Sequence, residues 1–271
     1  MALTIREVLA RSAEFLERKG VENPRLDAER LLAHALGLSR VELYTGFERP
    51  LTEAEAATAR ELVERRGRRE PLAYVLGEWD FRRLTLVTDE RALVPRPETE
   101  QLVERCLELL RDWDEPEVLD AGTGTGAIAL ALADEKPDAR VTAVDVSRRA
   151  LSLAAENVER TGLPVLLREG GLEVAMEGWD LVVSNPPYVR GEEIGGLQPE
   201  VRDFEPRDAL LGEDFHDRLA ELAQTSWLVL EVGDGQAAGV AATLERLGYG
   251  AVRVTDDLAG TPRIVEGWRG A

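Results

Sequence analysis

Apolar residues near the start of the chain recur with the 3.6-residue period of short amphipathic helices. In the first segment, Ile5, Leu9 and Leu16 fall on one face of such a helix. Capping boxes, in which a hydroxyl residue precedes a glutamate by three positions, mark where three of these helices begin. They are Thr4 with Glu7, Ser39 with Glu42, and Thr52 with Glu55. The pattern predicts a small helical bundle over residues 1–72.

The patterning changes from helical to extended in the next segment. Short β-prone stretches at residues 74–76, 79–81 and 84–87 are separated by turn residues, which is typical of a hairpin. The sequence Leu-Val-Pro-Arg-Pro-Glu follows, and its prolines indicate an extended turn before an amphipathic helix that begins near Glu98. We therefore predict a hairpin linker over residues 73–95.

Strand and helix patterns alternate through the rest of the chain, residues 96–271. Strands are predicted at 118–120, 141–145, 165–168, 181–184 and 227–232, with helices at 125–133, 148–160 and 236–247. This alternation predicts an α/β fold with a mostly parallel sheet and helices on both of its faces. Two final strands, at 251–255 and 263–268, have only a short connection between them, which predicts an antiparallel pair.

The composition narrows the classes of partner. The chain carries 33 basic and 52 acidic residues, a net charge of −19, and such a surface repels nucleic-acid phosphates. No apolar run is long enough to span a bilayer, and the charged N-terminal stretch does not resemble a signal peptide. Cys106 is the single cysteine, which excludes an intramolecular disulfide. We expect a cytoplasmic protein with no membrane partner and no direct nucleic-acid substrate.

A glycine-rich motif follows the first strand predicted for the sheet. Gly122, Thr123, Gly124, Thr125 and Gly126 lie between that strand and a helix, where glycines permit a tight turn and let a ligand approach the backbone closely. The same spacing fits the fingerprint of dinucleotide-binding proteins, so the motif alone does not identify the nucleotide.

Asp145 stands at the end of the next predicted strand. A carboxylate in this place can accept hydrogen bonds from both ribose hydroxyls of an adenosine-containing cofactor. Ser147 is suited to cap the following helix, which would leave Asp145 free to bind the ribose.

One motif favours a particular chemistry: Asn185, Pro186, Pro187 and Tyr188 follow the fourth predicted strand. The carboxyl ends of parallel strands face the ligand crevice in an open α/β sheet. Prolines stiffen the backbone and donate no N–H, so the Asn185 side chain and the Pro186 carbonyl can be held as two acceptors. A planar –NH2 group offers two matching donors. The motif therefore predicts a site that binds a planar amide or amine nitrogen.

Together these segments resemble the glutamine-N5 methyltransferases that modify class I peptide chain release factors. The resemblance covers nearly the whole chain, including the helical N-terminal domain, LVPRPETE, DAGTGTGAIALALA, AVDVS, VVSNPPYV and LEVGDGQ. It implies a Rossmann-like class I methyltransferase domain that uses S-adenosylmethionine and releases S-adenosylhomocysteine. It also implies that the N-terminal domain recognises the release factor. The similar family that methylates a ribosomal-protein glutamine usually has serine and proline where this chain has Pro97 and Glu98.

The resemblance also implies roles for particular residues. The glycine-rich residues 122–126 would hold the methionine part of the cofactor, Asp145 its ribose, and Leu172 its adenine. Gly171 stands where the family usually has an acidic residue. Asn185 would contact both cofactor and substrate and would act in catalysis with Pro186. Pro187 and Tyr188 would complete the glutamine site.

Other functions are compatible with parts of this sequence. An amino-methyltransferase acting on nucleic-acid bases can use the same Asn-Pro-Pro-Tyr device, but it must unstack a base and grip phosphates. An NAD-dependent oxidoreductase would explain the glycines and Asp145 but not the Asn185 motif. A methyltransferase of a ribosomal-protein glutamine and a cofactor-binding assembly protein without turnover are two further alternatives.

Few other residues suggest chemistry. No cluster of cysteine and histidine has metal-ligand spacing, so no metal is predicted. His34 is expected to be a packing or surface residue, His216 to lie in an irregular stretch, and Cys106 to be an inert buried thiol. A run of arginines is expected to form a solvated helix face: Arg60, Arg65, Arg66, Arg68 and Arg69.

Overall fold

The computed structural model describes residues 2–212 and 214–270. Three residues lie outside this description: Met1, where the first predicted domain begins, Glu213, and Ala271, where the last predicted domain ends. The described chain divides into two compact units. A helical unit contains residues 2–77 together with Gln198–Phe204. A sheet unit contains Glu78–Leu197 and the residues from Glu205 onward. In the described part of the chain, no helix is both long and apolar enough to cross a bilayer.

The α-helices of the described chain follow in sequence order. They are α1 (Ile5–Arg18), α2 (Pro24–Leu36), α3 (Arg40–Thr45), α4 (Glu53–Gly67), α5 (Leu72–Leu76), α6 (Pro97–Leu109), α7 (Ala127–Glu135), α8 (Arg148–Thr161), α9 (Pro199–Phe204), α10 (Arg207–Leu210), α11 (Phe215–Leu222) and α12 (Ala237–Arg246). Short 3₁₀ segments occupy Leu172–Glu177 and Ile194–Gly196.

The strands form a two-stranded hairpin and one large sheet. The hairpin pairs β1 (Glu78–Phe81) with β2 (Leu84–Val87). The sheet contains β3 (Glu117–Ala121), β4 (Arg140–Asp145), β5 (Val165–Glu169), β6 (Trp179–Ser184), β7 (Thr225–Glu231), β8 (Gly250–Asp256) and β9 (Pro262–Trp268).

The three predicted capping boxes are confirmed in the helical unit. The Thr4 side chain accepts from the Glu7 backbone N–H, and the Glu7 carboxylate accepts from the Thr4 backbone N–H at 2.9 Å. The boxes at α3 and α4 have the same reciprocal bonds. Each box satisfies N–H groups that a helix start otherwise leaves without a partner, so these helices begin where the sequence indicates.

The extended segment predicted at residues 74–76 is wrong, because these residues form α5. Pro71 precedes this short helix, and Gly77 closes it with a left-handed φ of 77°. Arg65 donates to the carbonyl oxygens of Tyr74 at 3.2 Å and Val75 at 3.4 Å. Burial of the apolar side chains against the bundle and these arginine bonds outweigh local β propensity. The hairpin formed by the next two stretches is confirmed.

The large sheet confirms the predicted α/β architecture. Its strand order is β5-β4-β3-β6-β7-β9-β8, with β3 to β7 parallel and β9 antiparallel to both β7 and β8. The predicted antiparallel pairing of the last two strands is thus confirmed. After β3 the chain first builds outward through β4 and β5, then returns to place β6 on the other side of β3. Ligands bind at such a switch point, at the carboxyl ends of the strands.

Hydrophobic clusters cover both faces of this sheet. Successive residues of a strand point to opposite faces, so Val118 joins a cluster with Leu102 and Leu130 of α6 and α7, whereas Leu119 joins one with Leu219 and Leu244 of α11 and α12. These layers hold the strand ends in fixed positions, which is what a site built on them requires.

The arginine run of α4 is not the solvated face that the sequence predicts. Arg60 and Arg68 are exposed, but Arg66 is 6% exposed. Arg66 Nε contacts the Asp27 carboxylate at 2.7 Å, and its Nη1 contacts Glu200 of α9 at 2.7 Å. Arg69 also contacts Glu200, at 2.6 Å. The sequence pattern could not predict the contact with Glu200, because this residue is more than a hundred positions from Arg66 along the chain.

We expect Arg66→Ala to lower the opening free energy of the helical unit by about 3–5 kcal/mol, because Asp27 and Glu200 would keep buried charges without their shared partner. Native-state hydrogen exchange of peptides from α2 and α4 measures this value directly. Arg18→Ala is the matched control, since its pair with Glu14 is exposed, and it should change the same quantity by less than about 1 kcal/mol. Equal effects of the two substitutions would contradict the expectation.

Candidate active site

A cavity of about 430 Å³ opens at the carboxyl ends of β3, β4 and β6, within the sheet unit. This volume is in the range of pockets that bind small molecules and cofactors. Many of the residues selected from the sequence line it: Gly122, Thr123, Gly124, Thr125, Asp145, Leu172, Asn185 and Pro187. Gly126, Pro186 and Tyr188 are not among the lining residues.

The glycine-rich turn depends on backbone conformations that favour glycine. Gly122, Gly124 and Gly126 have φ values of 77°, 57° and 83°. A Cβ at Gly122 would have no atom of the described residues within 4 Å, so this position leaves open space beside the backbone. A Cβ at Gly126 would lie 3.3 Å from Leu130 and 3.4 Å from Ala154, so this glycine instead permits close packing of α7 and α8. The turn also delays the helix start from Thr125 to Ala127.

Asp120 anchors this turn from inside the protein, a function that the sequence analysis did not assign to it. Its Oδ2 accepts from the Thr123 hydroxyl at 2.6 Å and from the Ala129 backbone N–H at 3.2 Å. Its Oδ1 is buried without a hydrogen-bond partner. Burial raises the pKa of Asp120 to about 7. The signal was present in the motif, since an aspartate within an apolar strand must find partners when it is buried.

Asp145 binds backbone groups as well as facing the cavity. Its Oδ2 accepts from the Gly124 N–H at 3.0 Å, and its Oδ1 accepts from the Ser147 N–H at 2.8 Å. Ser147 caps α8 as predicted, by accepting from Ala150. With this cap in place, Asp145 still accepts two backbone hydrogen bonds. A carboxylate has about four acceptor positions, however, so two hydrogen bonds leave capacity for a ligand.

Asn157 is a structural support that the sequence analysis missed. It is fully buried on α8 and exchanges hydrogen bonds with the backbone N–H and carbonyl of Val87, at 2.7 and 3.1 Å. Its Nδ2 also donates to the Thr125 carbonyl at 3.0 Å. One side chain thus joins the hairpin, α8 and the glycine-rich turn. A polar residue on the apolar face of an amphipathic helix was the only signal.

The segment after β5 forms another wall of the cavity. Gly170, Gly171 and Leu172 line it. A Cβ at Gly170 would lie 2.9 Å from a Val174 methyl group, so glycine is needed there for close packing. The Gly171 N–H donates to the carboxylate of Glu173 at 2.8 Å. An acidic group therefore occurs at this end of β5, two residues beyond the position where the family usually has one.

The side chain of Asn185 is held by a hydrogen-bond chain that runs across three elements. Its Nδ2 donates to the Thr99 hydroxyl at 3.0 Å, and that hydroxyl donates to Glu231 Oε2 at 2.7 Å. Thr99 lies in α6 and Glu231 ends β7, and both are buried. In the described part of the chain, neither Asn185 Oδ1 nor the Pro186 carbonyl accepts a hydrogen bond. Asn185 Oδ1 is therefore an available acceptor at the cavity wall, and the Pro186 carbonyl is a second acceptor on the adjacent residue.

The rest of the Asn-Pro-Pro-Tyr corner is held by neighbours that must be small. A Cβ at Gly212 would lie 2.1 Å from the Pro187 carbonyl oxygen, and one at Gly233 would lie 2.8 Å from the Tyr188 ring. Gln236 Nε2 donates to the Tyr188 carbonyl at 2.9 Å. The corner is thus fixed by its prolines and by contacts from the segments before and after β7.

His216 is a buried structural residue of α11, so the prediction that it lies in an irregular stretch is wrong. Its Nε2 lies 2.8 Å from the backbone oxygen of Glu231. Burial lowers the pKa of His216, which favours the neutral ring. Burial likewise raises the pKa of the Cys106 thiol, as expected for an inert group. His34 is exposed on α2.

Comparison with known proteins identifies two family models in this chain. The PrmC N-terminal domain matches residues 7–77, and the Methyltransferase small domain matches residues 99–197. Among solved structures, the catalytic domain of human METTL16 in complex with a 3′UTR hairpin aligns with a TM-score of 0.58 over 81% of this chain and 83% of that chain. At 15% identity this similarity shows the methyltransferase fold alone.

Curated relatives match almost from end to end. The release factor glutamine methyltransferase of Geobacter sulfurreducens is 43% identical over 97% of this chain and 96% of its own length. That of Deinococcus radiodurans is 42% identical over 98% of this chain and 99% of its own length. The chain belongs to the family of release factor glutamine methyltransferases.

Proposed function

We propose that this protein transfers a methyl group from S-adenosylmethionine to the side-chain amide nitrogen, N5, of a glutamine in class I peptide chain release factors. The observation that carries the proposal is a pair of acceptors on adjacent residues, Asn185 Oδ1 and the Pro186 carbonyl, which accept no hydrogen bond from any described residue. Asn185 lines a cavity of cofactor size. A glutamine amide has two N–H donors in one plane, which matches two acceptors held on a stiff corner.

The residues of the cavity fit the proposed methyl donor. The glycine-rich turn leaves room for the methionine part to approach the backbone, Asp145 retains acceptor capacity for the ribose, and Leu172 offers an apolar surface for the adenine. Bound S-adenosylmethionine supplies an electrophilic methyl group on a positively charged sulfur. The protein's own contribution is to hold this cofactor and the acceptor amide in one fixed relation.

Asn185 and Pro186 would increase the nucleophilicity of the glutamine amide nitrogen, which is otherwise weak. The lone pair of that nitrogen is delocalised into the carbonyl group of the glutamine. When both N–H groups are held by the Asn185 and Pro186 oxygens, the lone pair can localise toward the cofactor. Orientation of this kind is worth roughly 7–11 kcal/mol in favourable cases. The nitrogen proton becomes acidic only as the new bond forms, so no strong base is needed beforehand.

Three parts of the chain have separate roles in this proposal. Residues 1–72 recognise the release factor, residues 73–95 link the other two parts, and residues 96–271 carry out methyl transfer. The net charge of −19 disfavours a bare nucleic-acid substrate. The solved relative that holds an RNA hairpin supports only a common fold. Release factors act in the cytoplasm, which is the compartment we propose for this enzyme.

The direct test is mass spectrometry of a class I release factor after incubation with this protein and labelled S-adenosylmethionine. We expect a gain of one methyl group on one loop glutamine. Asn185→Ala removes one of the two acceptors, and we expect kcat to fall by about 10²–10³-fold. Bare DNA and RNA serve as parallel substrates. Labelling of nucleic acid but not of the release factor would overturn the proposal.

We expect Asp145→Asn to weaken S-adenosylmethionine binding by about tenfold, or 1.4 kcal/mol. The new –NH2 group would face the N–H of either Gly124 or Ser147, and one charged acceptor would be lost. Isothermal titration calorimetry measures the Kd. Glu169→Gln is the control, because Glu169 ends the neighbouring strand but is exposed and does not line the cavity. A parental Kd in Asp145→Asn would remove Asp145 from the binding site.

A further inference from the structure

We propose that Thr99 and Glu231 are positioning residues that decide which end of the Asn185 amide faces the acceptor glutamine, and that the protonation state of Glu231 switches this choice. The inference rests on the proposed function, because it assigns Asn185 the task of accepting a substrate N–H. It adds two residues that do not touch the substrate themselves.

The three groups are linked by short contacts and shielded from water. The Asn185 Nδ2 to Thr99 Oγ1 distance is 3.0 Å, and the Thr99 Oγ1 to Glu231 Oε2 distance is 2.7 Å. Thr99 is 4% exposed and Glu231 is 1% exposed, whereas Asn185 is half-buried and lines the cavity. The chain of bonds therefore leads from the buried end of β7 directly to the cavity wall.

The direction of this chain follows from the single proton of a hydroxyl group. A carboxylate can only accept hydrogen bonds, so an ionised Glu231 accepts one from the Thr99 hydroxyl. Thr99 then has only lone pairs to offer, and Asn185 must turn its Nδ2 toward it. Asn185 Oδ1 is consequently directed away from Thr99 and is available to accept from the substrate –NH2 group.

A proton on Glu231 Oε2, the oxygen that contacts Thr99, reverses both hydrogen bonds in the chain. The protonated carboxyl donates to Thr99, and the Thr99 proton is then donated to Asn185 Oδ1. Asn185 would now present its own –NH2 group toward the cavity. Two donors would face each other where an acceptor is required, so the glutamine amide would be held by the Pro186 carbonyl alone. Methyl transfer should therefore need the ionised form of Glu231.

The surroundings of Glu231 set its protonation near neutral pH. Burial raises the pKa of this carboxyl to about 7, the Thr99 hydrogen bond opposes the increase, and the neighbouring charge of Glu98 adds to it. Arg263 of β9 and Arg96 before α6 act in the opposite direction. The other ionisable groups nearby are Tyr188, whose pKa is raised by burial, and His216, which contacts the Glu231 backbone oxygen.

The experiment measures kcat and KM for the release factor between pH 5.5 and 8.5 in four proteins: the parent, Thr99→Val, Thr99→Ser and Glu231→Gln. In the parent, kcat should rise with pH through an apparent pKa near 7, as Glu231 ionises. Thr99→Val keeps the shape of the side chain but breaks the chain of bonds, so kcat should fall about 10–100-fold and lose this rise. Thr99→Ser restores the hydroxyl and should recover both the rate and the rise.

Glu231→Gln tests the switch separately from folding, because it cannot ionise but preserves the volume. Its kcat should be independent of pH across the same interval. In all variants the Kd for S-adenosylmethionine should stay within about threefold of the parental value. Thr243→Val is the matched control, since Thr243 is also a buried threonine of the sheet unit and lies on α12, away from the site. It should reproduce the parental pH profile.

The outcomes distinguish this inference from the function on which it rests. A parent that does not methylate glutamine would overturn the proposed function itself. An active parent whose pH profile is unchanged in Thr99→Val or in Glu231→Gln would overturn the inference alone. So would a Thr99→Ser protein that remains as slow as Thr99→Val while it binds the cofactor normally.

Discussion

The direction of hydrogen bonding at Asn185 is the constraint on which the proposed reaction depends. A primary amide has a donor at one end and an acceptor at the other, and the two ends have nearly the same shape. The position of the Asn185 amide therefore does not by itself decide whether an acceptor or a donor faces the cavity. The diproline corner fixes where the amide lies, and the contact with Thr99 fixes how it is turned. The proposed reaction requires both, because two acceptors must meet the –NH2 group of a glutamine.

The sheet places the glycine-rich turn and Asn185 side by side because β3 and β6 are paired. β3 ends in the glycine-rich turn and β6 ends at Asn185, and these strands are hydrogen-bonded neighbours in parallel register. The Ser184 hydroxyl also donates to the Ala121 carbonyl at 2.6 Å, which ties the two strand ends together. In the proposed reaction, the methyl donor and the methyl acceptor would therefore be held at adjacent strand ends.

Local patterns predicted the parts of this protein that depend on neighbours in sequence. Capping boxes, strand alternation and the two ligand motifs were all readable, because each is a property of a few consecutive residues. The contact between Thr99 and Glu231 could not be predicted in this way, because the two hydrogen-bonded side chains are 132 positions apart in the sequence. Glu200 and Asn157 were missed for the same reason. The short helix α5 was misread because tertiary contacts overrode the propensity of its residues.

The helical unit is continuous in space but not in sequence, since α9 is encoded far downstream of the other helices. A fragment that ends at Gly77 would have the length of a complete domain, yet it would lack the only described acid that bridges Arg66 and Arg69. Recombination that exchanged the first 77 residues between relatives would therefore have to match the recipient's later segment as well. Substitutions at Glu200 and at Arg66 or Arg69 are therefore expected to be correlated among relatives.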